Sequence, residues 1–164
     1  MLKIVTGGQT GVDRAALDVA IELGIPYGGW CPTGGWAEDL PDPPGLLALY
    51  PNLRETPDAD PAQRTEWNVR DAARLMVLVD RAGLQPSNGT KAALDFGGKL
   101  GKPHIVLDLD AGDALARART FFGEGQGELV LCVAGPRESE APGIYAKAHR
   151  FLLDLLGGAS GQPD

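Results

Sequence analysis

Three short runs of small and polar residues have the composition of ligand-holding loops. The first, Gly7-Gly8-Gln9-Thr10-Gly11-Val12-Asp13-Arg14, follows an apolar run directly and opens a helical one. Its glycines admit close approach of a ligand to the main chain, and a helix start presents unpaired N–H groups at the positive end of its dipole, which suits an anion. The run is neither a GxGxxG fingerprint nor a Walker A loop, because the third glycine is out of register and no Gly-Lys-Ser/Thr follows. Thr10 and Asp13 also have a purely structural reading, in which Thr10 caps the helix and Asp13 completes a capping box. The second run, Ser87-Asn88-Gly89-Thr90-Lys91, again precedes a helical pattern and offers Ser87, Asn88 and Thr90 as hydrogen-bonding groups; standing alone it would be an ordinary N-cap. The third is Ala134-Gly135-Pro136-Arg137-Glu138-Ser139. Arg137 can fork onto a phosphate in a way Lys cannot reproduce, or pair with Glu138 or Glu140 at the surface.

A fourth group sits on one predicted helix with Thr65 as its cap. Arg64, Asn68 and Asp71 fall on one side at i, i+4 and i+7, either as a polar pocket wall or as a salt-bridged face. Trp30 and Trp36 flank Cys31–Gly35 and can stack on a planar heterocycle or pack a lid. His104 and His149 stand in no triad or metal-ligand pattern and are read as structural, so neither a catalytic residue nor a metal site is expected.

These groups need a scaffold that gathers them. Apolar runs at residues 2–6, 74–79, 104–109 and 128–133 have strand length, with a weaker candidate at 25–31. Val12, Ala15, Ala16, Val19, Ala20 and Leu23 form a helical stripe ending at Gly24. Ala92, Ala93, Phe96 and Leu100 mark a second helix, residues 111–122 a third, and Ile144, Ala148, Phe151, Leu152, Leu155 and Leu156 the last. Apolar strands alternating with helices predict a mostly parallel sheet covered on both faces, a Rossmann-like α/β three-layer sandwich. In such sheets ligands bind at the carboxyl ends of the strands, where all three loops fall. Residues 32–61, dense in Pro, Gly and Asp, read as a long insertion loop over the ligand face. The expected organisation is one domain over residues 1–157 and a disordered tail at 158–164.

The 164 residues suit one compact domain, and 43% hydrophobic with 23% charged residues is ordinary globular composition. No apolar run approaches the roughly 18 residues of a membrane span. The N-terminus, interrupted at Gly7 and Gly8, does not read as a signal peptide, and Cys31 and Cys132 have no metal or disulfide spacing, so a cytoplasmic setting is expected. A net charge of −7 disfavours nucleic acid as a partner but allows a small anionic ligand in a local positive pocket.

The runs GGQTGVDRAALDVAIELGIPYGGWCPTGGWAED, RTEWNVRDA, NGTKAAL with GKP, and VAGPRESEAPGIY together resemble the proteins described as molybdenum-cofactor carriers. That family falls within a Rossmann-like superfamily that also holds the lysine-decarboxylase-like phosphoribohydrolases and the DNA-uptake protein DprA. The resemblance implies a parallel sheet, a homo-oligomer (dimer or tetramer), and a ligand held by the glycine-rich loops at Gly7–Gly11 and Gly89–Thr90. The implied ligand is molybdenum cofactor (molybdopterin), with a nucleotide second, and the implied recipients are molybdoenzymes. The phosphoribohydrolase pattern places a catalytic Glu two residues after the Thr of its PGGxGT motif, where this chain has Ala92. An enzymatic alternative, hydrolysis of a nucleoside 5′-monophosphate, would need Asp13, Glu66 or Asp71 in that role.

Overall fold

The computed structural model describes residues 1–123 and 127–158. Its main sheet has five parallel strands in the order β2-β1-β7-β5-β6: β1 Leu2–Val5, β2 Tyr27–Gly28, β5 Arg74–Val79, β6 His104–Asp108 and β7 Leu129–Ala134. Five of the six residues of β5 are buried, as expected of a central strand covered on both faces. Helices α1 Val12–Glu22, α5 Ala114–Phe122 and α6 Ile144–Gly157 pack on one face, where Ile4, Met76, Leu78, Leu131 and Val133 meet Val12, Ala16, Val19, Ile144 and Leu152. Helices α3 Pro61–Asp71 and α4 Asn88–Lys99 cover the other, around Val69, Ala72, Leu75, Val77 and Ala93. The predicted three-layer α/β sandwich is therefore the observed one. Because β1, β7 and β5 are neighbours and parallel, the loops after Val5, Val79 and Ala134 leave from the same edge.

Four local expectations are corrected. The apolar run at 25–31 is two strands, because Gly29 sits at φ +128° and a Cβ there would lie 2.3 Å from the Thr6 carbonyl. Tyr27–Gly28 pairs with β1, whereas β3 Trp30–Cys31 pairs with β4 Arg54–Glu55 in a separate parallel ribbon. Helix α3 begins at Pro61, not near Thr65: the Asp60 carboxylate accepts the Ala62 N–H at 2.9 Å, and proline suits a first turn that needs no donor. Helix α1 has Gly11 at its N-cap and no side-chain cap, so neither Thr10 nor Asp13 makes a capping box. The insertion is not structureless either. It carries a 3₁₀ turn at Thr33–Gly35 and helix α2 Leu46–Leu49, and it buries Leu46, Tyr50 and Leu53 against Leu17 of α1.

Asp18 of α1 ties this small core to α6, since the Tyr50 and Tyr145 hydroxyls each donate to its carboxylate at 2.6 Å. Asp18→Ala is expected to cost about 2 kcal/mol for two hydrogen bonds to a charged acceptor, read as a shift in the urea midpoint. Of the expected tail, residues 159–164 lie outside the described residues, and α6 runs to Gly157.

Candidate functional site

A cavity of about 260 Å³ opens at the carboxyl edge of the sheet between the three loops. From the β1–α1 loop it takes Gly7 and Gln9, with Asp13 from the first turn of α1. Helix α3 contributes Arg64 and Asn68, the start of α4 contributes Ser87–Thr90 and Ala92, and β7 with its following loop contributes Cys132, Gly135, Arg137 and Glu140.

The two helix N-termini differ. That of α1 is closed: the Val12 N–H donates to the Pro136 carbonyl at 3.3 Å, and a Cβ on Gly11 would lie 2.3 Å from the same oxygen. That of α4 is open. Ser87 caps it by accepting the Thr90 N–H at 3.3 Å, while the Asn88 and Gly89 N–H groups have no partner among the described residues, and a Cβ on Gly89 would meet nothing. The anion-binding end of a helix dipole therefore faces the cavity from α4 rather than from α1.

Two buried polar side chains line the same cavity. Gln9, 3% exposed, has its Oε1 held by the Thr10 N–H at 3.1 Å and the Glu38 N–H at 2.9 Å, leaving Nε2 buried with no partner among the described residues. Arg64, 7% exposed, donates from Nη1 to the Gly7 carbonyl at 3.0 Å. A Cβ on Gly7 would lie 2.3 Å from that nitrogen, so any larger residue there would displace the guanidinium. Burial lowers the pKa of Arg64, opposed chiefly by the nearby Asp13. Burial pushes Asp13 up to about 6, against the attraction of Arg64, the Gln9 N–H, Thr6 and Arg14. Burial also raises the Cys132 thiol, with Asp13 adding to it.

Of the residues selected from sequence, the cavity gathers Gly7, Gln9, Arg64, Asn68, Asn88, Gly89, Thr90, Gly135 and Arg137. Asn68 has its amide committed to structure: it accepts from the Trp30 N–H at 2.8 Å and donates to the Trp30 carbonyl at 2.9 Å, pinning β3 to α3. The others lie elsewhere. Gly8, at φ +73°, turns against Leu46 and Leu53. Arg14 forks onto Asp39 at 2.8 and 2.9 Å. Thr10 and Ser139 both donate to the Glu38 carboxylate, and Glu138 caps α6 by accepting the Gly143 and Tyr145 N–H groups. Glu38 is consequently held below its ordinary value: burial acts to raise it, and the Ser139 and Thr10 hydrogen bonds outweigh burial. Asp71 accepts from Trp30 Nε1 and Arg70, outside the cavity. Residues 32–60 of the insertion do not line it; they reach its rim through Glu38, 3.8 Å from Arg137, and Trp36, whose ring lies 5.5 Å from that guanidinium.

Sequence reasoning passed over Cys132 and Glu140 as lining residues and read Asp13 as a cap or, in the enzymatic alternative, as a stand-in for the missing Glu. Cys132 carried no motif and is placed only by the register of β7 between β1 and β5.

A parallel sheet whose three central strands feed their loops to one cavity, with helices on both faces, defines a Rossmann-like α/β protein. The chain belongs to the circularly permutated YpsA SLOG family, whose model matches residues 4–156. It is also similar to a solved structure from Syntrophus aciditrophicus SB that carries the name "Putative molybdenum carrier protein", at 36% identity over 94% of both chains with a TM-score of 0.83. No curated protein matches it.

Proposed function

We propose that the chain binds a small phosphorylated heterocycle in this cavity and carries it, with molybdenum cofactor as the cargo and a nucleotide as the closest alternative. The observation that supports this best is the convergence of the Asn88 and Gly89 N–H groups, the unpartnered Gln9 Nε2 and the buried Arg64 on one recess. These donors suit a phosphate, and the apolar stretch Cys132–Ala134 beside them suits the face of a ring. The name of the structural neighbour favours molybdenum among the heterocycles. In this reading the protein is a cytoplasmic homo-oligomer that passes its cargo to molybdoenzymes. Calorimetric titration with molybdopterin and with 5′-AMP tests the reading, and absence of saturable binding to both ends it.

Arg137 is the cation at the mouth. Among the described residues its guanidinium pairs with one carboxylate, Glu38, at a loose 3.8 Å, so it can turn to an incoming phosphate. Arg137→Ala is expected to weaken ligand binding about ten- to a hundredfold, the range of one charge-assisted contact, in the same titration.

One observation favours an enzymatic second reading. Ala92 lines the cavity at the position where phosphoribohydrolases carry their Glu, and Asp13 lines it too, with its pKa raised to about 6, in the range of a general acid. Neither Glu66 nor Asp71 reaches the cavity, so the stand-in would be Asp13. Release of adenine from 5′-AMP, lost in Asp13→Asn, would promote this reading over the carrier.

A further inference from the structure

Residues 32–60 of the insertion do not line the cavity, yet one of them, Glu38, bonds to two of the loops that do. Its main-chain N–H donates to Gln9 Oε1 at 2.9 Å, beside the Thr10 N–H at 3.1 Å, so both lone pairs of that oxygen are filled. Turning the amide over would set its NH2 group against two N–H donors. Gln9 is thereby locked with Nε2 as its remaining end, buried in the cavity wall and without a partner among the described residues. That nitrogen can only donate, so a ligand atom that meets it must be an acceptor.

The Glu38 side chain holds the same junction from its other end. Its carboxylate accepts the Thr10 hydroxyl and, at 2.6 Å, the Ser139 hydroxyl, while the Thr10 oxygen accepts the Glu138 N–H at 3.1 Å. One carboxylate of the insertion therefore clamps the β1–α1 loop to the loop after β7, and the clamp keeps the Glu38 N–H on Gln9. We propose that Glu38 is a positioning residue of this site: it fixes the Gln9 amide as an obligate donor, and so favours a ligand that presents an acceptor there. The insertion then sets affinity from outside the cavity. The inference rests on the cavity being the ligand site of the proposed function, and it adds which residue orients one of the donors.

The test compares Glu38→Ala with Glu38→Gln in the full chain, titrated by calorimetry with 5′-AMP and with molybdopterin. Both variants keep the main-chain N–H and both release Arg137 from its 3.8 Å pair, so the difference between them isolates the clamp. An amide can still bond to the two hydroxyls, and alanine cannot. Glu38→Ala should bind about tenfold more weakly than Glu38→Gln, the effect of one hydrogen bond to a charged oxygen left out of place. In a Gln9→Met background, which has no amide to orient, the two should bind alike. In ligand-free protein the Gln9 side-chain amide protons should exchange with solvent as slowly in Glu38→Gln as in native protein, and faster in Glu38→Ala. Melting curves confirm that the variants are folded, and Glu38→Met replaces Glu38→Ala should the latter melt below the assay temperature. Equal affinity of the two Glu38 variants with Gln9 in place, or an undiminished difference with Met there, overturns the inference and leaves the cavity standing as the ligand site. Unchanged amide exchange in Glu38→Ala overturns it too. Failure of both ligands to bind native protein overturns the proposed function, and the inference with it.

Discussion

Asp13→Asn is expected to melt higher than the native protein at neutral pH, by up to about 3 kcal/mol in unfolding free energy, and to lose most of the native pH dependence between about pH 4 and 6. An aspartate in the unfolded chain titrates at its model value of 3.8, whereas burial raises Asp13 in the folded protein to about 6, even with Arg64 nearby. Below pH 4 both states hold the proton and the group is neutral towards folding. Between the two values the unfolded chain has released its proton while the folded one retains it, so native stability falls as pH rises. Above about 6 the buried carboxylate is ionised in both states and the cost is fully expressed. Asparagine keeps the shape of the protonated acid and avoids that cost; the hydrogen bond it forgoes is a long one, 3.4 Å from the Gln9 N–H. Thermal unfolding of both proteins across the range checks this. A variant that melts lower at neutral pH would contradict this and show that the carboxylate's contacts with the Gln9 N–H and Arg64 outweigh the cost of its burial. A higher-melting variant would mean that native protein gives up stability to hold a carboxylate in this cavity, the kind of local conflict that accompanies function.

The second large effect is expected at Arg64. Arg64→Met keeps the length of the side chain but removes the buried guanidinium, and ligand affinity should fall about ten- to a hundredfold. It also leaves the Gly7 carbonyl without its 3.0 Å donor and deprives Asp13 of its largest stabilising neighbour. The Asp13 pKa should therefore rise further, and the stability loss with pH should extend to higher pH than in native protein. Gly7→Ala reaches the same place from the backbone: its Cβ would displace Nη1, so it should lower affinity although it changes no charge. Titration calorimetry and pH-dependent melting of both variants check the pair, and native affinity in both would remove Arg64 from the binding machinery.

The layered fold was legible because its signals are local. Residues 74–79 are apolar without interruption, as a strand buried on both faces must be, and the stripe from Val12 to Leu23 has helical period without a break. The insertion was obscured by its prolines. Leu46, Tyr50 and Leu53 stand at i, i+4 and i+7, yet their burial depends on Leu17 and Cys31 from distant parts of the chain. Asp60 followed by Pro61 is a helix start in plain view, concealed by its place at the end of a segment that reads as loop.

The site was legible as three loops but not as one cavity. Thr10, Ser139 and Glu138 have the composition of ligand-binding residues, and in the fold they serve the Glu38 junction and the α6 cap. Which helix end stays open was decided by Pro136, whose carbonyl occupies the α1 start, a contact between residues more than a hundred positions apart. Asp13 and Cys132 face the cavity only because β7 lies between β1 and β5, an order that no sequence spacing encodes.

The measurement that bears most directly on the central claim is amide chemical-shift mapping of the full chain during titration with 5′-AMP and with molybdopterin. Saturable shifts are predicted at Asn88 and Gly89, whose N–H groups have no partner among the described residues and would take the phosphate, together with the Gln9 side-chain amide and Gly135, while Gly11 and Val12 at the closed start of α1 stay in place. Shifts centred on Gly11 and Thr10, or confined to the surface around Tyr50 and Tyr145, would contradict the account, as would no saturable change with either ligand.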